Sequence, residues 1–204
     1  MKLIFGTTNN RKIEDLQNII NEMNFDIEVL SMEDIGWDKG EIDEIGITIE
    51  ENSLIKAQAI LSFCQEHNIH YPIMADDAGL FVDALNGEPG IYTARYADDE
   101  LSSDLNLPKH QCVIKLLRKM NGQENRKAKY RFCVTCMMPN GNYHQEIGES
   151  EGTIANQIIS ELKKPYFYSV FILNNTNVAF GELKSEELYN TYRYDAIRKS
   201  LKRF

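Results

Sequence analysis

Short apolar runs and helix-spaced apolar stripes alternate along this chain, and that alternation sets the fold class. Leu3, Ile4 and Phe5 form a first run, followed by a polar turn over residues 6–10. Ile13, Leu16, Ile19, Ile20 and Met23 then recur at spacings of about three and four, which predicts a helix with one buried face. A second strand is expected around residues 27–30. An acidic loop over 37–44 leads to a helix predicted over 50–66, with Leu54, Ala57, Leu61 and Cys64 on one face. Tyr71, Ile73 and Met74 read as a strand leaving a core and ending at Asp76 and Asp77, where Gly79 signals a polar turn.

A short run over 81–85 and a helix over 110–120 carrying Val113, Leu116 and Leu117 come next. Two long strands, 127–138 and 142–154, flank Pro139, Asn140 and Gly141, a strong hairpin signal. An apolar run over 166–173 precedes a final helix predicted over 185–202. Strands alternating with helices give an α/β class. No repeat or low-complexity linker divides the chain, so a single domain over 1–204 is expected.

Composition narrows the function. With 204 residues and 43% hydrophobic content, the chain can bury one substantial core. No run approaches the roughly 18 apolar residues of a membrane span. The apolar run after Met1 and Lys2 is too short for a signal peptide, so a cytoplasmic protein is expected. Cys133 and Cys136 form a C-x-x-C pair inside a strand-like run, where odd spacing sends the side chains to opposite faces and argues against a shared metal. His67 and His70 read as a helix end before a strand. A net charge of −9 argues against a broad nucleic-acid surface. A small polyphosphate is compatible with it, because a few local cations, a helix N-terminus and Mg²⁺ suffice to hold one.

Three clusters carry candidate chemistry. Thr7, Thr8, Asn9, Asn10, Arg11 and Lys12 join the first strand to the first helix, where small polar groups can meet an anion and Lys12 adds a mobile charge. The same residues fit an ordinary N-cap. Glu44 precedes Asn52 and Lys56, which are four apart on one helical face; Lys56 can then meet a phosphate where Glu44 meets a metal. An acidic loop before a solvated helix is the plainer alternative. Asp76 and Asp77 are hard oxygen donors of the kind that suit Mg²⁺, although an isolated Asp-Asp pair is more often a polar turn.

Taken together, Thr7-x-Asn9-x-x-Lys12, Glu44-x-Gly46-x-Thr48-x-x-Glu51-Asn52-x-x-x-Lys56-Ala57 and the stretch over 76–96 resemble the inosine/xanthosine triphosphate pyrophosphatases. Gly148-x-x-x-Gly152-x-Ile154 fits a later strand of that family. The resemblance implies an elongated mixed β-sheet with flanking helices and two lobes around a nucleotide cleft. It also implies a homodimer that hydrolyses non-standard purine nucleoside triphosphates such as ITP, dITP and XTP to monophosphate and pyrophosphate, with Mg²⁺. Asp77 would activate water; Glu44, Asp76 and Asp77 would hold the metal. Lys12 and Lys56 would stabilise the polyphosphate, with Lys56 also catalytic, and residues 7–11 would line the phosphate and sugar end.

The last quarter departs from the family. Where its members carry Gly-Phe-Gly-Tyr-Asp-Pro, this chain reads Pro165-Tyr166-Phe167-Tyr168-Ser169-Val170, and Thr191-Tyr192-Arg193 replaces Ser-His-Arg. Ala78 stands where a serine is usual. Ala78, Tyr166, Ser169, Tyr192 and Arg193 are the substrate-binding candidates on this side. The departures fall on base recognition, and they carry the alternative expectation of a catalytically weakened nucleotide sensor or partner subunit with altered base specificity.

Overall fold

The computed structural model describes every residue except Leu105, Lys109, Lys164, Asn175, Tyr189, Asn190 and Phe204, and leaves aside the side chains of Arg11, Ser185 and Glu186. The fold is mixed α/β. In chain order the elements are β1 (Lys2–Phe5), α1 (Asn10–Glu22), β2 (Glu28–Leu30), α2 (Ile49–Glu66), β3 (Ile73–Val82), β4 (Pro89–Gly90), α3 (Asp98–Ser103), α4 (Gln111–Lys119), β5 (Lys127–Met137), β6 (Tyr143–Ile154), β7 (Phe171–Leu173), α5 (Ser185–Leu188) and α6 (Tyr192–Leu201). The strands follow the order β2-β1-β3-β5-β6-β7, and β4 pairs with β3. No described helix is long and apolar enough to cross a membrane.

Two compact units divide the chain. The first comprises Met1–Asp77, Phe132–Gly148 and Arg193–Phe204. Within it β1 lies parallel to β2, matching Lys2 with Glu28, and parallel to β3, matching Phe5 with Met74. Parallel strands need covered faces and read as near-continuous apolar runs, which is why Leu3, Ile4 and Phe5 are all fully buried. The helix-spaced residues Leu16, Ile19 and Ile20 of α1 are buried as well. Ala57, Ile60, Phe63 and Cys64 of α2 pack with Ile4, Ile73, Ala75 and Met137 into one cluster.

The second unit comprises Ala78–Arg131 and Glu149–Tyr192. Here β4 pairs antiparallel with the end of β3, and β7 with the end of β6, setting Gly152 opposite Leu173. Tyr130, Tyr168, Phe171, Phe180 and Tyr192 form its aromatic core, with Tyr130 stacked on Tyr192 at 5.4 Å and edge-on to Phe171 at 4.9 Å.

The expected elements recur with four differences. The strand at Tyr71–Met74 does not end in a turn: β3 runs through Asp76, Asp77 and Gly79 to Val82. Charged residues are poor strand formers, but tertiary partners override that preference here. The glycine serves a close approach rather than a turn, since a Cβ on Gly79 would collide with the carbonyl of Gly90 across the β3–β4 pair. The run over 166–173 is a 3₁₀ turn at Tyr166–Ser169 followed by the three-residue β7. The final helix is two helices, α5 and α6; part of the predicted span falls on Tyr189 and Asn190, outside the described residues. Finally, β4 and α3 had no forecast. The hairpin was anticipated: the Met138 N–H reaches the carbonyl of Asn142, and the Gly141 N–H that of Met138.

Candidate active site

The site in the first unit begins with a helix start. Thr48 is the N-cap of α2, its hydroxyl accepting the N–H of Glu51 at 3.1 Å, while the Glu51 carboxylate accepts the N–H of Ile47 at 2.7 Å. This reciprocal cap and the acidic first turn, Glu50 and Glu51, suit the positive helix terminus. They also fix the loop in front of it. The Gly46 N–H donates to the side-chain oxygen of Asn52 at 2.9 Å, and no larger residue fits there, since a Cβ would lie 2.7 Å from that oxygen and from the Glu51 Cβ. Glu44 sits two residues earlier on this pinned segment.

One face of α2 then lies along β3. Ser53 donates to the carbonyl of Ala75 at 2.9 Å and shares a 2.7 Å hydrogen bond with Thr135. Lys56 donates to the carbonyl of Asp76 at 2.7 Å. Asn52 donates to Oδ2 of Asp77 at 3.1 Å. The ammonium of Lys56 also lies 2.6 Å from Oε1 of Glu44 and 3.8 Å from Oδ1 of Asp77, so Glu44, Lys56 and Asp77 meet. Burial disfavours the Lys56 ammonium, but Asp76, Asp77 and Glu44 outweigh it and raise its pKa above the usual lysine value.

Asp76 belongs to a neighbouring pair. Its Oδ2 accepts from Lys12 at 2.7 Å, and its side chain is only 2% exposed against 33% for Lys12. Burial by itself would push the carboxyl up; the charges of Lys12, Arg193 and Lys56 prevail and bring it down to about 2. Arg193, at the start of α6, has its guanidinium carbon 5.6 Å from the Phe132 ring centre. Its Nε and Nη2 atoms are buried with no hydrogen-bond partner among the described residues. A buried donor left unmatched is costly, and an arriving acceptor would relieve that cost.

The loop before α1 is laid out for contact with solvent. Thr7 accepts the N–H of Asn9 at 3.1 Å, while Thr8, Asn9 and Asn10 are exposed beside the helix N-terminus. The side chain of Arg11 is outside the described residues. The first unit therefore brings Lys12, Glu44, Lys56, Asp76, Asp77 and Arg193 into two linked ion-pair groups. Among the described residues no three of His, Cys, Asp or Glu gather closely enough to make an all-protein metal cage. Asp76 turns to Lys12, leaving Glu44 and Asp77 as the pair that converges. That donor set fits Mg²⁺, which takes one or two carboxylates and completes its shell with water and substrate phosphate.

The remaining candidates lie in the second unit. Ala78 is half-buried in β3. Tyr166 is half-buried, with its ring edge-on to His110 at 6.3 Å. Ser169 is 1% exposed and its hydroxyl donates to the carbonyl of Tyr166 at 2.7 Å, closing the 3₁₀ turn. Tyr192 is buried in the aromatic core, and its hydroxyl pairs with that of Tyr168 at 2.7 Å. Asn52 and Ser53 were absent from the candidate residues although Asn52 stood inside the second motif. Their place on the face of Lys56 was the available signal. Thr135 and Gln145, which join the same polar chain at 2.9 Å, had none.

Comparison with known proteins bears on the whole chain. Residues 3–203 match the Ham1 family. The sequence is 35% identical over 201 residues to a dITP/XTP pyrophosphatase of Exiguobacterium sp. (strain AT1b), covering 98% of this chain and 94% of the relative. It is 31% identical over 197 residues to the dITP/XTP pyrophosphatase of Bacillus subtilis (strain 168), covering 96% and 93%. The solved Staphylococcus aureus Ham1 protein superposes with a TM-score of 0.80 at 26% identity, over 100% of this chain and 97% of the other. A match over residues 3–203, from β1 to beyond α6, makes this chain a member of the Ham1 family.

Proposed function

We propose that this protein hydrolyses non-standard purine nucleoside triphosphates, of which dITP, ITP and XTP are the first choices, to nucleoside monophosphate and pyrophosphate. The chain is a hydrolase acting on phosphorus-containing anhydrides, a class that includes the dITP/XTP pyrophosphatases it matches along most of its length. The observation that carries the reading to this chain's own residues is the convergence of Glu44, Lys56 and Asp77, with Lys56 2.6 Å from Glu44. A sensor that had lost turnover would not need that arrangement kept.

The residues divide the work by chemistry. Asp77 accepts the proton of the attacking water as a general base. Attack at the α-phosphorus breaks its bond to the bridging oxygen, and pyrophosphate leaves with the electron pair. Lys12 and Lys56 hold the phosphate oxygens and meet the charge that builds on the leaving group; fixed cations act mainly through such preorganised electrostatics. Arg193, with two buried donor atoms unmatched among the described residues, supplies a further acceptor-binding group. Ala78, Tyr166, Ser169 and Tyr192 are proposed on the base and sugar side. Among the described side chains of the site, Glu44, Asp76 and Asp77 balance Lys12, Lys56 and Arg193 in formal charge, which leaves no surplus cation among them for a triphosphate. We assign that need to Mg²⁺, with Glu44 and Asp77 as its protein ligands and Asp76 beside them. When bound, Mg²⁺ offsets phosphate charge and makes water more acidic.

A homodimer, on the strength of the family resemblance, and a cytoplasmic setting complete the reading. A panel of dITP, ITP, XTP, dUTP and the common triphosphates, assayed for pyrophosphate with and without Mg²⁺, gives the test. Metal-dependent release that favours the first three supports the proposal; no release from any member defeats it.

A further inference from the structure

Asn52 is fully buried, and its side-chain amide faces two partners of opposite demand. On one side its oxygen accepts the Gly46 N–H at 2.9 Å; on the other its nitrogen donates to Oδ2 of Asp77 at 3.1 Å. Only a group with an acceptor and a donor on one short stem meets both. We infer that Asn52 is a positioning residue for hydrolysis: it fixes the orientation of the Asp77 carboxylate and locks to it the backbone segment that carries Glu44. The inference rests on the proposed role of Asp77 and adds to it a residue that touches neither substrate nor metal.

Three features support a built link. Gly46 has no room for a side chain, so the loop meets the amide through its backbone at close range. Ser53 and Lys56 secure the same helix face to the carbonyls of Ala75 and Asp76, giving the amide a rigid base. Ile45 and Ile47, on either side of Gly46, are 82% and 81% exposed, so their side chains do not anchor this segment in the core. The hydrogen bonds at Gly46 and Ile47 do that work.

Asn52→Asp tests the link with almost no change of size. The new carboxylate still accepts from Gly46 but confronts Asp77 with an acceptor and a like charge. With dITP and saturating Mg²⁺, kcat is expected to fall about 10- to 100-fold, the range for losing a buried hydrogen bond to a charged group, while KM moves less than about threefold. A purely structural role would not confine the loss to kcat. Stability gives a second arm that needs no activity: adding Asp77→Asn to Asn52→Asp exchanges amide and carboxylate, and the double variant should melt above Asn52→Asp alone. An active wild type with an equally active Asn52→Asp variant would overturn the inference, as would strictly additive effects of the two changes on melting temperature. Wild-type protein that hydrolyses no triphosphate would overturn the functional reading beneath it.

Discussion

Asp77, Lys56 and Asp76 carry separable consequences at the scale of single residues. Asp77→Asn keeps the shape of the side chain but removes the proposed base and weakens any metal contact, so hydrolysis should fall at least about 100-fold with the fold intact. Steady-state turnover beside a circular dichroism spectrum checks both halves, and near-wild-type turnover would remove Asp77 from the mechanism. Lys56→Ala should raise KM and lower kcat together, because in the proposed reaction its charge meets phosphate before and during departure of pyrophosphate. Asp76 makes a prediction about pH. Its folded carboxyl lies near 2 against an ordinary 3.8, so its ion pairs stabilise the fold fully above the ordinary value and lose that effect as pH falls through about 2. The stability gap between wild type and Asp76→Asn should be constant from neutral pH to about 5, then close toward pH 2, as urea unfolding at several pH values would show. A gap that widened on acidification would reverse the sign of the argument.

Elements show how far the sequence can be read and where reading stops. Apolar runs and helical periodicity located β1, α1, α2 and α4, each of which buries an apolar face, and the Asn140-Gly141 turn located the β5–β6 hairpin. The apolar pattern misjudged β3, since Asp76 and Asp77 sit in a buried strand only by virtue of Lys12, Asn52 and Lys56, partners 20 or more residues away in sequence. The motif residues themselves were legible, and so was the facing of Asn52 and Lys56. What no local pattern could supply was the pairing within the site, Asp76 with Lys12 but Asp77 with Asn52, nor the fact that Ser169 spends its hydroxyl on its own turn. The Gly79 contact gives this scale its test. Gly79→Ala should destabilise the protein by about 1–3 kcal/mol through crowding of the β3–β4 pair, read as a lower urea midpoint with unchanged slope. An unchanged midpoint would mean that the pair yields without cost.

The whole molecule reconciles an acidic chain with an anionic substrate. A net charge of −9 repels a polyphosphate in general, yet cations are concentrated where three carboxylates already hold them in place. Ion pairs with Asp76 and Glu44 hold Lys12 and Lys56 at the site, where the proposed reading has them meet phosphate. The proposed reaction breaks one bond: water activated by Asp77 attacks the α-phosphorus of a purine nucleoside triphosphate and expels pyrophosphate. Hydrolysis of dITP in ¹⁸O-enriched water with Mg²⁺, followed by ³¹P NMR of the products, tests it most directly. Attack at the α-phosphorus leaves the heavy oxygen in dIMP and the pyrophosphate unlabelled, whereas dIDP with labelled orthophosphate, or heavy oxygen in the pyrophosphate, would overturn the assignment.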